Sequence, residues 1–163
     1  MSSAPTWLRF RLGEQVHALD AAVVRQILLQ PRILPLPHST PACPGLVAWQ
    51  GRPLLVLDLG ACLLRRPSLS RQRWRLLVWA QAAEAGALAV DAVGDLLRLP
   101  PTTLAQHWAP AKSGLQPPWS AIQGLIHAAE GCAETGPIAV FDAAALWRAC
   151  WHQIDFSQGR AVA

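Results

Sequence analysis

A chain of 163 residues that is 52% apolar and only 15% charged can bury a substantial core, which excludes a disordered polymer. The net charge of +4 and a pI near 9.4 permit an anionic partner without requiring one. No apolar run approaches the ~18–20 residues of a membrane span, and the opening MSSAPTW lacks the basic-then-apolar pattern of a secretory leader, so a cytoplasmic location is expected.

The 14 prolines and 11 glycines punctuate the chain too often for long helices and favour many short strands. Residues 7–12, WLRFRL, set Trp7, Leu8, Phe10 and Leu12 against Arg9 and Arg11, the near-alternation of a half-buried strand. Gly13-Glu14 turns it, and Gln15 to Leu19 returns as a hairpin. In Val23 to Leu29 helix and strand compete, and Pro31, Pro35 and Pro37 forbid a helix beyond Gln30. His38 to Pro44 reads as a loop or a one-turn helix.

Two short apolar runs come next, Leu46 to Trp49 behind Gly45 and Leu54 to Leu59 behind Pro53, with Gln50-Gly51 between them. Runs this short, bounded by Gly and Pro, predict central strands buried on both faces. Gly60 to Leu64 reads as a short helix. Arg65 to Arg75 holds five Arg in eleven residues and no acid, and reads as a loop. A second hairpin runs from Trp74 to Ala80, turns through Glu84-Ala85-Gly86, and continues from Ala87 to Val93.

Pro101 to Pro118 reads as a long mobile connector. Trp119 to His127 leads into a strand at Gly124, and 130–136 is a turn. Pro137 to Phe141 is a strand, and Asp142 is a good N-cap for a helix from Ala143 to His152. Leu146, Trp147, Cys150 and Trp151 fall on one face of that helix. The folded unit spans 7–152, with a tail over 153–163 that frays from Ser157.

Five motifs in order resemble the CheW family, the adaptors of bacterial chemosensory arrays. They are Phe10, Leu12 and Gly13 with Leu19-Asp20; Val24-Arg25-Gln26-Ile27; Thr40-Pro41, Gly45-Leu46-Val47, Trp49-Gln50-Gly51 and Val56-Leu57-Asp58-Leu59; Val90-Asp91-Ala92-Val93 running on to Leu99-Pro100; and Gly124 with Ile138 to Phe141, Asp142 and Leu146. The chain departs from the family at Gln26, where Glu is usual, and at Gln50, where Arg is usual. The resemblance covers about Leu8 to Trp147 and includes an internal echo, Gly45-Leu-Val against Gly124-Leu-Ile.

That resemblance implies a mainly β fold, two SH3-like five-stranded β-barrel subdomains side by side with a short C-terminal helix. The residues alone give only a mostly-β domain with Greek-key or barrel closure. It also implies a non-catalytic adaptor without cofactor, in the cytoplasm or recruited to membrane receptor arrays. Its partners would be the CheW-like regulatory domain of a CheA-like histidine kinase and the cytoplasmic tip of a methyl-accepting chemoreceptor, with no membrane insertion. The positions carried over as partner-binding are Val24, Gln26, Ile27, Gly45, Gln50, Gly51, Val90 and Asp91, with Trp49 beside them. The missing charges at Gln26 and Gln50 point to a divergent member, such as one serving a type IV pilus and twitching motility rather than flagellar chemotaxis.

Catalytic chemistry finds no foothold. The five His are scattered among different elements, none in HExxH or beside a nucleophile signature, and are read as surface or satisfied residues. Phosphate loops and paired carboxylates are absent, and Cys43, Cys62, Cys132 and Cys150 show no metal-ligand spacing and read as free thiols. The alternative from another class is a small-barrel protein binding single-stranded nucleic acid through the Arg-rich loop 65–75, with Trp74 as a stacking platform. Against it, Trp74 opens an apolar strand and faces the core, so no specific nucleic acid is expected. Trp49 is read as an interface anchor or as core. Gln26 and Gln50 are read either as a linked replacement, hydrogen-bonded to each other, or as independent drift.

Overall fold

A computed structural model describes residues 4–127 and 136–154. Apart from Gly136, the expected turn at 130–136 lies outside the described residues, as do Cys132 and the tail from 157 onward. Strands β1 (Thr6–Leu12) and β2 (Gln15–Asp20) form the first hairpin, with Gly13 at φ 60° in its turn. Next come β3 (Val24–Leu28), β4 (Gly45–Trp49), β5 (Arg52–Asp58) and helix α1 (Leu59–Leu64). The second hairpin is β6 (Arg75–Gln81) and β7 (Glu84–Val90), and after it come β8 (Ala92–Arg98) and helix α2 (Pro101–His107). The chain closes with β9 (Trp108–Pro110), β10 (Ile122–Ile126), β11 (Ile138–Phe141) and helix α3 (Ala143–Gln153).

The strands form two sheets, ordered β8-β1-β2-β11-β10-β9 and β3-β6-β7-β5-β4. Five strands of one match five of the other. In each, a hairpin pairs antiparallel with a flanking strand on one side and parallel with a closing strand on the other. The closing strands repeat in sequence, Pro53-Leu-Leu-Val-Leu-Asp58 and Pro137-Ile-Ala-Val-Phe-Asp142. Each terminal Asp caps the next helix, Asp58 accepting from the Ala61 N–H at 3.0 Å and Asp142 from the Ala145 N–H at 2.7 Å. The flanking strands are exchanged: β3 comes after the first hairpin in sequence but pairs with β6, and β8 comes after the second but pairs with β1. The fold is mainly β, two SH3-like barrel subdomains interlocked by this exchange; short β9 makes one sheet six-stranded rather than five.

Each sheet has its own small core, Trp7, Ala18, Leu97, Ile126 and Val140 in one and Val47, Val56, Leu76, Val78 and Ala87 in the other. The opposite faces meet in a shared core that holds Leu8, Phe10, Leu19 and Phe141 from the first sheet and Leu57, Leu77, Trp79 and Leu88 from the second. Helix α3 docks there through Leu146 and Cys150, and Trp147 lies over Gly86, whose absent side chain leaves the space.

Several expectations are corrected. Strand β4 is an edge strand, not a central one, because residues 30–36 rather than another full strand cover it; Ala48 is exposed. The second hairpin turns at Ala82-Ala83, with Ala82 at φ 53°, not at Glu84-Ala85-Gly86, which belong to β7. The connector 101–118 is not wholly irregular: Pro101 starts α2 and β9 pairs with β10. His17 is buried between the rings of Phe10 and Phe141, centroids 5.6 and 5.5 Å away, and its Nδ1 has no partner, so it is neither a surface nor a satisfied histidine.

Candidate functional site

Strand β3 lies at an edge of its sheet and pairs only with β6 there. A bulge between Val24 and Gln26 shifts its register, and Arg25, Gln26 and Ile27 are all exposed. Beyond it the prolines hold the chain extended, and it returns over β4, where Leu34 and Leu46 exchange two backbone hydrogen bonds of 2.8 Å. This return leaves Ile27, Leu29, Leu34 and Leu36 exposed, Leu29 by 72% and Leu34 by 47%. Four apolar side chains on β3 and the strap after it are thus exposed, the kind of residue a protein-interaction surface uses. Leu29, Leu34 and Leu36 have no place in the motif-based site; their signal in the sequence is an apolar residue placed before or between prolines that bar burial in a helix.

The sheet curls so that its two end strands meet at Gln26 and Trp49. The Trp49 indole N–H donates to Gln26 Oε1 at 2.7 Å, joining β4 to β3. The Trp49 ring packs against the core of Val47, Leu54 and Val78, so the residue is half-buried filler with its polar edge at the surface. Gln26 is thus bonded to Trp49, the neighbour of Gln50, and not to Gln50 as the linked replacement expects. Gln50 and Gly51 form the two-residue turn of the β4–β5 hairpin at φ 48° and 74°, both positive as a type I′ turn requires, and both are exposed. Gln26, Trp49, Gln50 and Gly51 are therefore brought together, with Ile27 exposed next to Gln26, whereas Val24 is half-buried and packs against the shared core.

Gly45, Val90 and Asp91 are buried and do not join that surface. Gly45 is buried: a Cβ there would collide with the Leu34 carbonyl, so its close backbone approach is to its own chain. Val90 is fully buried in the shared core. Asp91 sits where the chain crosses from β7 to β8. It accepts from the Gly13 N–H at 2.8 Å, from Ser68 Oγ at 2.7 Å and from Arg66 at 3.1 Å, with Arg71 at 3.9 Å. Ser68 also donates its N–H to Asp58, fastening the Arg-rich loop to the cap of α1. Burial pushes the Asp58 carboxyl above its ordinary range, opposed by hydrogen bonds from Ser68, Ala61 and Leu69.

Among the described residues, no group of three or more His, Cys, Asp or Glu is placed to hold a metal. His17 is held neutral, its pKa lowered to about 4 by burial. The Cys62 thiol is pushed up by its hydrogen bond with Cys150 and by burial, which keeps it protonated and unreactive. Trp74 is half-buried and packs against the core that holds Val47 and Leu76. No helix among the described residues is long and apolar enough to cross a membrane.

The chain matches the CheW-like domain over residues 6–147. Among solved structures it is similar to the scaffolding protein TtCheW from Thermoanaerobacter tengcongensis, with 16% identity and a TM-score of 0.69 over 85% of this chain and 89% of that one. No curated protein matches its sequence significantly.

Proposed function

The chain belongs to the CheW-like domain family, and on that premise we propose that it is a non-catalytic adaptor joining a CheA-like histidine kinase to chemoreceptor tips. The observation that carries this reading is the exposure of Ile27, Leu29, Leu34 and Leu36 on β3 and the strap after it, together with the Gln26–Trp49 bond and the exposed Gln50-Gly51 turn. The surface is apolar, with the exposed arginines Arg25, Arg32 and Arg52 around it. It docks by burying Ile27 and Leu29, and the amides of Gln26 and Gln50 supply hydrogen bonds where the family usually has a charged pair. A receptor contact that depends on that pair is weakened, which favours a divergent pathway such as type IV pilus motility.

Retention of the purified protein on the immobilised regulatory domain of the cognate kinase, and on a soluble receptor-tip fragment, tests this. Ile27→Glu places a charge on the patch without touching the core and lowers affinity by about tenfold or more. Failure of the unaltered protein to bind either partner overturns the adaptor reading; equal binding by Ile27→Glu moves the contact away from β3.

A further inference from the structure

The Arg-rich loop builds a second feature, from elements other than β3. Residues 66–73 lean over the β1–β2 turn and the β7–β8 crossover and enclose a cleft of about 440 Å³. Arg66 and Arg71 converge on its Asp91 side, and Arg11 and Arg73 line it with Glu14. Four guanidinium groups therefore face two carboxylates. Asp91 is already occupied by the short bonds from Gly13, Ser68 and Arg66, so Arg71, at 3.9 Å, keeps donors to offer. The side chains of Arg66 and Arg71 are both about two-fifths exposed, at 41% and 42%.

We propose that this cleft is a binding site for an acidic peptide segment of a protein partner, with a Glu or Asp carboxylate held by Arg71 and Arg73. Guanidinium forks match carboxylates in geometry as well as charge. The cleft is concave, which suits a side chain entering it and not the plane of a bilayer. A nucleic-acid strand needs stacking platforms along its path, and Trp74 at the end of the loop is half-buried against the core and does not line the cleft. Glu14 and Asp91 would also repel the closely spaced phosphates of such a strand while leaving room for one carboxylate.

The test is fluorescence anisotropy with fluorescein-labelled octaglutamate at low ionic strength, beside labelled oligothymidylate and phosphatidylglycerol vesicles. Octaglutamate binds saturably and more tightly than either comparator. The double variant Arg71→Gln/Arg73→Gln weakens it by about tenfold with an unchanged melting curve, since neither side chain is buried. Glu14→Gln strengthens it, which keeps the proposal open to refutation should the double variant fold poorly. Absence of octaglutamate binding, equal affinity in the charge variants, or tighter binding of the oligonucleotide or the vesicles overturns it.

Discussion

Replacing Gly45 by Ala tests how the candidate docking surface is held in place. A Cβ at this position has no space, because the Leu34 carbonyl lies directly against Gly45 and Pro35 Cα is 3.0 Å from where the Cβ would stand. The strap over residues 30–36 must lift, and with it go the two 2.8 Å hydrogen bonds between Leu34 and Leu46. Two backbone bonds contribute about 1 kcal/mol each, and forcing a methyl into filled space costs about 1–3 kcal/mol. With partial relaxation the expected loss is about 3 kcal/mol, or about 6–12 °C in melting temperature for a chain of this size. Urea titration reads the stability, and amide exchange at Leu34 and Leu46 reads the strap. Because Leu34 and Leu36 ride on the strap, kinase-domain binding should fall in parallel. A variant whose two amides keep their protection and whose stability changes by less than about 0.5 kcal/mol would refute the claim that Gly45 serves the strap.

His17 makes the fold acid-sensitive. Its pKa is about 4 in the folded protein against 6.5 for the ordinary group, so between these values the unfolded chain takes up a proton that the native state refuses. Stability is full above pH 6.5 and falls by about 3 kcal/mol by pH 4; His17→Leu should flatten that part of a urea-midpoint profile, and an unchanged slope would remove His17 as the cause. Asp58, raised by burial, acts in the opposite sense as its carboxyl protonates, so the comparison must be between variant and parent. Asp91→Ala strands Ser68 Oγ and the Gly13 N–H and leaves Arg66 and Arg71 facing each other, a loss of about 3 kcal/mol by chemical denaturation; a loss below about 1 kcal/mol would mean the network is incidental. The exchange of β3 and β8 couples the two sheets, so amides of β1 and β6 should lose protection in one coincident transition, and two separate transitions would show the halves to be independent.

Features that depend on near neighbours are legible in the sequence. The Gly13-Glu14 turn, the Asp142 cap with its helix, and the strand character of 138–141 are each set by a few adjacent residues. Features set by distant partners are not. The run Leu46–Trp49 reads as a central strand because it is continuously apolar, but its outer side is covered by a strap whose pairing is decided only in three dimensions. The turn at Ala82-Ala83 carries no turn-forming residue; its register is fixed instead by Gly86, which must lie beneath Trp147 from the far end of the chain. Trp108 likewise joins the sheet edge because Gly124 lets its indole lie flat against the strand. At the site, Gln26, Ile27, Gln50 and Gly51 are exposed, whereas Val90 and Asp91 sit at a strand end that folds inward to make the crossover between sheets.

The repeat explains why one edge of the molecule, and not its counterpart, is suited to docking. Ile27 pairs with Leu77, and beyond it lie Leu88 and Leu57; Leu96 pairs with Leu8, and beyond it lie Leu19 and Phe141. These two rows are equivalent, and both flanking strands carry a bulge at the same place, between Val24 and Gln26 in one and opposite Arg9 in the other. Ile27 and Leu96 are accordingly both exposed, by 38% and 55%. The connections after the two strands differ. Leu97 near the end of β8 and Leu99 just after it turn inward, and Pro101 starts α2, whose Leu104 packs on the core of that sheet, so Leu96 is left as an isolated apolar residue. After β3, prolines at 31, 35 and 37 prevent a helix, and the chain stays extended with Leu29, Leu34 and Leu36 outward. A single exposed leucine is ordinary on a protein surface, whereas four exposed apolar residues on one strand and the connection after it are not. The duplicated plan therefore supplies two similar edges, and the placement of prolines in the connection after each one decides which edge is open to a partner.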